Sequence, residues 1–567
     1  MTAPRDYVFS EKWDHVVHGN TWKVNEDGSW YLPDKTLGWE IAGWCSLYLL
    51  NDQGGQWRFT KEQMRFLLWW YAVDDRGRFV YRKGVLQRLK GWGKDPIAAS
   101  LALVELCGPS KFAGWDRNGE PIGKPHPNAY VTVSATAESQ TRTTADVLQW
   151  MVSDRMKQDY GMTVGVERVS ANGGRGQIVF SASSFRAIEG KRPTFSILNE
   201  IQHWVSGNQG HQMYNTLNGN LTKSPNGVAR MLAITNAYQP GEDSVGETLR
   251  QAYLDQVERN AKSGRTYGQD IYYDSLEVDP KAPVDPEVIL EVIPHVRGDS
   301  VWLDPEAIVG SFMDRSIPVS HNRRMFYNQV VAKEDALFSE GEWDSGRSPG
   351  ELKTGEEIVL GFDGGKSDDA TALVAKRVSD GLIVPIMIWE KPPSHVDSDW
   401  EIDRREVDSY VHWTFRNFKV VAFYADVALW ESYIDQWADA YRDRLKIKAN
   451  GNKHAIAWDM RGGAEKITRA NEALMTRVFE SADLREKGVP VEELPFRHNG
   501  NRVLRKHALN ARRRENRYGL TFGKESRESP LKVDAYAALL LAEMAYRDLL
   551  ESGKNKAGRK PGSIIAY

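Results

Sequence analysis

RLKGWGKDP, Arg88 to Pro96, follows a short apolar run (Gly84 to Leu89) and opens a second one (Pro96 to Leu106). In that setting a glycine-rich turn presents backbone N–H groups and a lysine to phosphate at a helix N-terminus. Lys94 is the candidate phosphate contact, with Lys90, Gly91, Gly93 and Asp95 completing the loop. Measured against GxxxxGK[ST], Arg88 stands where the first glycine belongs. Asp95 replaces the Ser or Thr whose hydroxyl ordinarily ligates Mg²⁺. A Gly-Lys pair before a helix is also what an ordinary turn looks like, so the loop needs support from the rest of the chain.

Support comes from two apolar strands further on. PTFSILNEIQHW (Pro193 to Trp204) ends its apolar run at Asn199 and Glu200, where a nucleotide-hydrolysing sheet places a Mg-organising residue and a carboxylate that activates water. RMLAITNA (Arg230 to Ala237) ends in Thr235 and Asn236, polar groups suited to sensing a γ-phosphate from an adjacent strand end. Around these, strands and helices alternate: FTKEQMRFLLWWYAVD is an amphipathic helix with Thr60 as N-cap, AYVTVSA and QIVFSAS are strands, and Thr144 to Lys157 is a helix. Such alternation predicts an α/β fold with a mostly parallel sheet.

A second constellation follows. EIVLGFDGGKSDDATALV (Glu357 to Val374) carries Asp363 at the end of an apolar strand, then two glycines and the acids Asp368 and Asp369 before another strand. Asp426 ends the strand VVAFYAD, and Asp534 opens the apolar helix VDAYAALLLAEMAY. Three element ends each offering a carboxylate, with Asp369 as a fourth, suit a two-metal phosphodiesterase using Mg²⁺ or Mn²⁺. Taken singly, each Asp is equally at home as a helix cap or strand terminus.

The whole chain bounds these readings. Its 567 residues exceed one hydrophobic core, and 41% hydrophobic with 27% charged residues is a globular rather than a disordered composition. Lys and Arg number 74 against 77 Asp and Glu, a net charge of −3, so any nucleic-acid surface must be local. FRHNGNRVLRKHALNARRRENRYGL (Phe496 to Leu520) is such a place: a helix is expected around His507 to Glu515, and on a helix Arg502, Arg505, Lys506, Arg512 and Arg513 would share a DNA-facing side. The two cysteines, Cys45 and Cys107, form no CxxC pair, which excludes a disulfide framework and a thiolate zinc site. MTAPRDYVFSEKWD has no apolar core of a signal peptide, and no run of about 18 apolar residues occurs; a cytosolic protein without membrane contact is expected. Composition places an N-terminal segment at 1–50, a first domain at 51–335, a linker at 336–355, a second domain at 356–550 and a flexible basic tail at 551–567.

The order of FTKEQ, KGWGKD, SFRAIEGKRPTFSILNE and LAITNA, followed by the acid set, resembles the large terminase subunit of tailed bacteriophages over residues 55 to 550. That resemblance implies a P-loop ATPase domain followed by a ribonuclease H-like nuclease. It implies ATP with Mg²⁺, a nucleobase contact at Gln63, a basic loop residue at Lys90, a general base at Glu200 and a coupling motif at Thr235 and Asn236. Asp363, Asp426 and Asp534 correspond to the nuclease metal site, and Asp369 to a further acid. Arg186 and Arg192 are available to stabilise the transferring phosphoryl group. The implied partners are double-stranded DNA, a procapsid portal protein, a small terminase subunit and further copies in a ring, in the host cytoplasm and transiently at the portal vertex. The family's Walker B Asp is Asn199 here, and Asp95 supplies a carboxylate across from it, as if the charge had changed sides. Two alternatives use the same parts: a helicase or repair-type ATPase fused to a nuclease, and a docking component with a degenerate ATPase site.

Overall fold

The computed structural model describes residues 12–182, 190–223, 229–263, 271–365, 369–392, 400–451, 453–525, 529 and 531–554. The chain forms two compact units, Met1–Gln239 with Asp243–Val331, and Pro240–Glu242 with Ala332–Tyr567. Arg186 and Asp368 lie outside the described residues, as does most of the basic tail.

The strands of the first unit are β1 (Val16–His18), β2 (Lys83–Gln87), β3 (Lys111–Trp115), β4 (Pro121–Lys124), β5 (Tyr130–Ala135), β6 (Thr163–Val164), β7 (Arg168–Ala171), β8 (Gly176–Ala182), β9 (Phe195–Asn199), β10 (Arg230–Thr235) and β11 (Ile271–Glu277). Among the described residues β3 and β4 form a separate hairpin, and the other nine form one sheet in the order β1-β11-β2-β10-β9-β5-β8-β7-β6. Its centre, β11 to β8, is parallel throughout. Strands covered on both faces need apolar runs rather than alternation, and every residue of β9 and β10 is buried. β10 lies between β2 and β9, with Thr235 level with Gln87 and Ile234 level with Asn199. The carboxyl ends of the three motif-bearing strands therefore come to one edge.

Helix α1 is Gly38–Tyr48, α2 Lys61–Trp70, α3 Lys94–Cys107 and α4 Glu138–Met151. Thr60 caps α2 as expected: its hydroxyl accepts from Gln63 N at 3.2 Å, and Gln63 Oε1 accepts from Thr60 N at 3.0 Å. The described residues of the N-terminal segment belong to this unit, a correction to its separation at residue 50. β1 pairs with β11, while Leu37, Ile41, Cys45 and Leu49 are buried in the same core as Leu101 and Ile197. Trp39 and Leu47 on the exposed side of α1 mask that four-residue spacing. The helix expected over Thr144 to Lys157 is two helices, broken where Ser153 caps Asp154–Asp159 by accepting from Met156 N.

The second unit contains β12 (Glu357–Gly364), β13 (Thr371–Arg377), β14 (Ile383–Trp389), β15 (Lys419–Asp426) and β16 (Ala457–Trp458) in the order β14-β13-β12-β15-β16, and a hairpin of β17 (Arg512–Asn516) with β18 (Gly519–Gly523). β12, β13 and β14 form an antiparallel meander, and β15 and β16 join parallel to β12. Three meandering strands extended by two parallel ones beside the first is the ribonuclease H-like order. The helix Asp534–Glu551 crosses this sheet at Gly361, where a Cβ would lie 2.0 Å from Ala538 O and 2.4 Å from Ala542 N. Only glycine admits that approach of helix backbone to strand.

Two expectations fail in this unit. The 336–355 stretch is not a linker: Leu337, Phe338 and Trp343 are wholly buried in the core, the last within the helix Glu340–Ser345 that Ser339 caps. Gly, Ser and acidic residues there serve caps and turns rather than flexibility. The helix over His507 to Glu515 ends at Asn510, and Arg512 onward is strand. The turn is set by Asn516, whose Oδ1 accepts from Tyr518 N at 2.8 Å, and by Gly519 at φ +128°.

Inside the second unit Glu543 on the final helix meets Lys376 Nζ at 2.6 Å and Arg477 at 2.7 Å. Burial raises Glu543, but the two cations prevail and hold it at about 2; burial brings Lys376 down to about 8. Because Glu543 titrates below its unfolded value of 4.5, its contribution is complete above that pH and is lost as pH falls toward 2. Glu543→Ala should cost about 3–5 kcal/mol in denaturant unfolding at pH 7, by stranding a buried ammonium, and should flatten the acid limb of the stability profile.

Candidate active sites

The loop between β2 and α3 turns through Gly91 (φ +83°) and Gly93 (φ +104°), a conformation open to glycine. Arg88, in place of the first glycine, has no exposed surface. It points beneath the loop, donating to Glu62 Oε1 at 3.1 Å and to Asp274 on β11, with its guanidinium 4.9 Å from the Trp22 ring. Burial lifts Glu62 to about 7 against the pull of Arg88 and Arg65. Lys94 Nζ donates to the carbonyls of Arg88 (3.0 Å) and Leu89 (3.1 Å), and burial lowers its pKa. Lys90 is held through its backbone, its N–H donating to Met325 O at 2.7 Å. Gln63 brings Nε2 to 3.6 Å from a Cβ position on Gly93.

Asp95 and Asn199 do meet. Asp95 Oδ1 accepts from Thr144 Oγ1 at 2.9 Å and from Asn199 Nδ2 at 3.4 Å. Asn199 Nδ2 also donates to Gln140 O and to Thr144 Oγ1, each at 3.0 Å. Asn199 Oδ1 is buried with no hydrogen-bond partner among the described residues, a costly vacancy for a carbonyl oxygen. Burial raises the Asp95 carboxyl, the Thr144 bond opposes this, and Glu200 adds to it.

Glu200 leaves β9 at φ +55°, an uncommon conformation for a side-chain-bearing residue and one found at functional turns. Its carboxylate accepts from Gln202 Nε2, and Gln202 Oε1 accepts from Thr235 Oγ1 at 2.5 Å. Asn236 Nδ2 donates to Arg88 O at 2.8 Å. A continuous set of bonds thus joins the loop, the end of β10 and Glu200. Sequence reading missed Gln202 and Thr144, since a lone amide or hydroxyl carries no motif. Arg192 is exposed and outside this set.

In the second unit parallel pairing sets Phe362 opposite Ala425, so Asp363 and Asp426 leave adjacent strand ends side by side. Burial and then Asp534, Asp426 and Asp369 push the Asp363 carboxyl well above its ordinary range, while Lys524 pulls it down. Asp426, which accepts from Met460 N at 3.2 Å, and Asp534 are raised chiefly by burial. Asp534 Oδ2 is buried without a partner among the described residues. No three His, Cys, Asp or Glu side chains among those residues stand at ligand spacing; the acids are gathered but not closed on one point. Asp369 pairs with Lys524. His507 supports the site: its Nδ1 accepts from Ala535 N at 2.9 Å, fixing the helix start beside Asp534, and its Nε2 therefore donates to Glu390 at 2.9 Å.

The basic stretch does not form the expected helical DNA face: its five residues are divided among ion pairs, the core and two different elements. Arg505 pairs with Asp344 at 2.8 Å and Glu340 at 3.2 Å, and Lys506 with Glu390 at 2.9 Å. Arg512 is wholly buried on β17, while Arg502 and Arg513 are exposed on different elements.

A glycine-rich loop at the end of a parallel sheet, and acids on adjacent strand ends of a second sheet of ribonuclease H-like order, define a two-unit α/β protein with one candidate site in each unit. The chain belongs to the family of the Gene 13 protein of Mycobacterium phage L5, with 38% identity across 96% of this chain and 97% of that one. The Gene 13 protein of Mycobacterium phage D29 is 37% identical over the same shares. No family model matches. The crystal structure of the HK97 bacteriophage large terminase aligns with 90% of this chain and 99% of its own, at 15% identity and a TM-score of 0.46. Among the described residues, no helix is long and apolar enough to cross a membrane.

The Asp95–Asn199 contact predicts strong coupling. Asn199→Asp alone, which sets a second buried carboxylate against Asp95, should destabilise the protein by about 2 kcal/mol in chemical denaturation. Adding Asp95→Ser should recover most of the loss in a double-mutant cycle; additive losses would separate the two residues.

Proposed function

We propose that the chain is a large terminase subunit, an ATP-driven translocase of double-stranded DNA that also cuts DNA by metal-dependent phosphodiester hydrolysis. The observation that carries the ATPase half is the bonded set linking the Arg88–Lys94 loop, Thr235–Asn236 and Glu200 at one sheet edge. Lys94 and the N–H groups of Gly91 and Gly93 hold the phosphates of ATP, and Gln63 meets the base. Asp95 and Asn199 would hold Mg²⁺ in place of the usual hydroxyl and carboxylate, through the unpartnered Asn199 Oδ1 and the buried Asp95 carboxylate. Glu200, freed from Gln202, accepts the proton of the attacking water. Because Gln202 also binds Thr235, a change at Glu200 reaches the end of β10, the physical basis for coupling hydrolysis to movement.

Asp363, Asp426 and Asp534 would hold Mg²⁺ or Mn²⁺ in the nuclease unit, with Asp369 nearby. Their mutual repulsion and the unpartnered Asp534 Oδ2 suit a divalent cation. When bound, the metal supplies an activated water and stabilises the leaving oxygen. Arg502 and Arg513 remain the exposed candidates for phosphate contact. The partners of this reading are a procapsid portal protein, a small terminase subunit and further copies of the chain in a ring, in the host cytoplasm and at the portal vertex during packaging.

Glu200→Gln should lower ATP turnover about 10²–10⁴-fold while retaining ATP binding; turnover at the wild-type rate would remove Glu200 as the base. On the same preparations, Asp363→Ala should lose plasmid cleavage in Mg²⁺ and in Mn²⁺ yet keep ATPase activity. Cleavage that survives the substitution would overturn the metal assignment.

A further inference from the structure

The turn Asp299–Leu303 is fastened to the loop from outside. Ser300 Oγ donates to Trp92 O at 2.9 Å, and Asp299 accepts from Glu62 N at 2.8 Å at the start of α2. Trp302 Nε1 donates to Gly91 O at 2.9 Å. The indole is thereby pinned by one edge while the residue stays 55% exposed. It stands directly at the loop: its Cζ2 is 3.4 Å from a Cβ position on Gly93, and Gln63 Nε2 is 3.6 Å from the same point. A flat apolar ring held in a fixed orientation in water is poor packing for a monomer but a good surface for a planar base. Gln63 beside it turns its Nε2 toward the same point as a donor for a base edge, while its Oε1 is held by Thr60 N in the cap of α2.

We propose that Trp302 is the stacking platform for the purine base of the nucleotide bound at the loop, with Gln63 meeting the edge of that base. The inference rests on the reading of the loop as a nucleotide site. Stacking on an indole contributes to base affinity and nothing to the phosphates. It therefore sets KM and preference for purine nucleotides rather than the chemical step.

The test uses the full-length protein with ATP and with inorganic tripolyphosphate as separate probes. Trp302→Ala should weaken ATP binding about tenfold and raise KM in proportion, leaving kcat and tripolyphosphate affinity within about twofold of wild type. Trp302→Phe, which keeps a ring but loses the N–H bond to Gly91, should recover most of the ATP affinity. Unchanged ATP binding in Trp302→Ala overturns the inference. So does a Phe variant as weak as Ala with tripolyphosphate affinity falling in parallel, since the indole would then only brace the loop. Wild-type protein that binds neither probe would instead refute the nucleotide reading of the loop itself.

Discussion

Parallel pairing in register is the constraint on which both sites depend. Neighbouring parallel strands end at the same level, so residues far apart in the chain arrive at one edge. In the first unit β10 lies between β2 and β9, bringing the loop, Thr235 and Asn199–Glu200 together. In the second, β15 beside β12 does the same for Asp363 and Asp426. Slipping either pairing would separate the groups, because strand side chains alternate faces. Both pairings are held by apolar cores, and in the second unit additionally by the bare backbone of Gly361 beneath the final helix.

The departures of the loop from the usual motif have distinct physical accounts. Arg88 replaces a glycine without crowding the loop's outer face, because its side chain is directed away into a buried ion network with Glu62 and Asp274. Breaking such a network by removing one partner strands a buried charge, so the loop is anchored from below as well as fastened by Ser300 and Trp302. Asp95 and Asn199 touch, placing one carboxylate and one amide where two carboxylates would repel.

Charge is distributed in the same economical way in the second unit. The arginine-rich stretch looks like a DNA surface in one dimension, yet Asp344, Glu340, Glu390 and Asp335 pair with Arg505, Lys506 and Arg514 within the unit. Those pairs position the helix whose His507 braces the start of the Asp534 helix. The stretch thus supports the acid site as well as presenting Arg502 and Arg513 to solvent.

Strands with continuous apolar runs, the Thr60 cap and the polar residues at strand ends were legible because each is a local pattern with a local cause. The candidate acids and Glu200 were legible for the same reason. The helix α1 and the 336–355 stretch were not, since exposed Trp39 and Leu47 obscure one periodicity and cap-forming Ser and Glu residues resemble a linker in the other. The end of the basic helix at Asn510 depended on a hairpin turn at Asn516–Gly519 whose partner strand follows it. The sequence by itself determined the element types, the order of the motifs and the residue chemistry available. Only the tertiary structure decided which of those residues meet: Asp95 with Asn199, Gln202 between Glu200 and Thr235, Trp302 at the loop, and the arginines with their acids. Such contacts span tens to hundreds of residues and are selected by strand order and close packing, which no local pattern encodes.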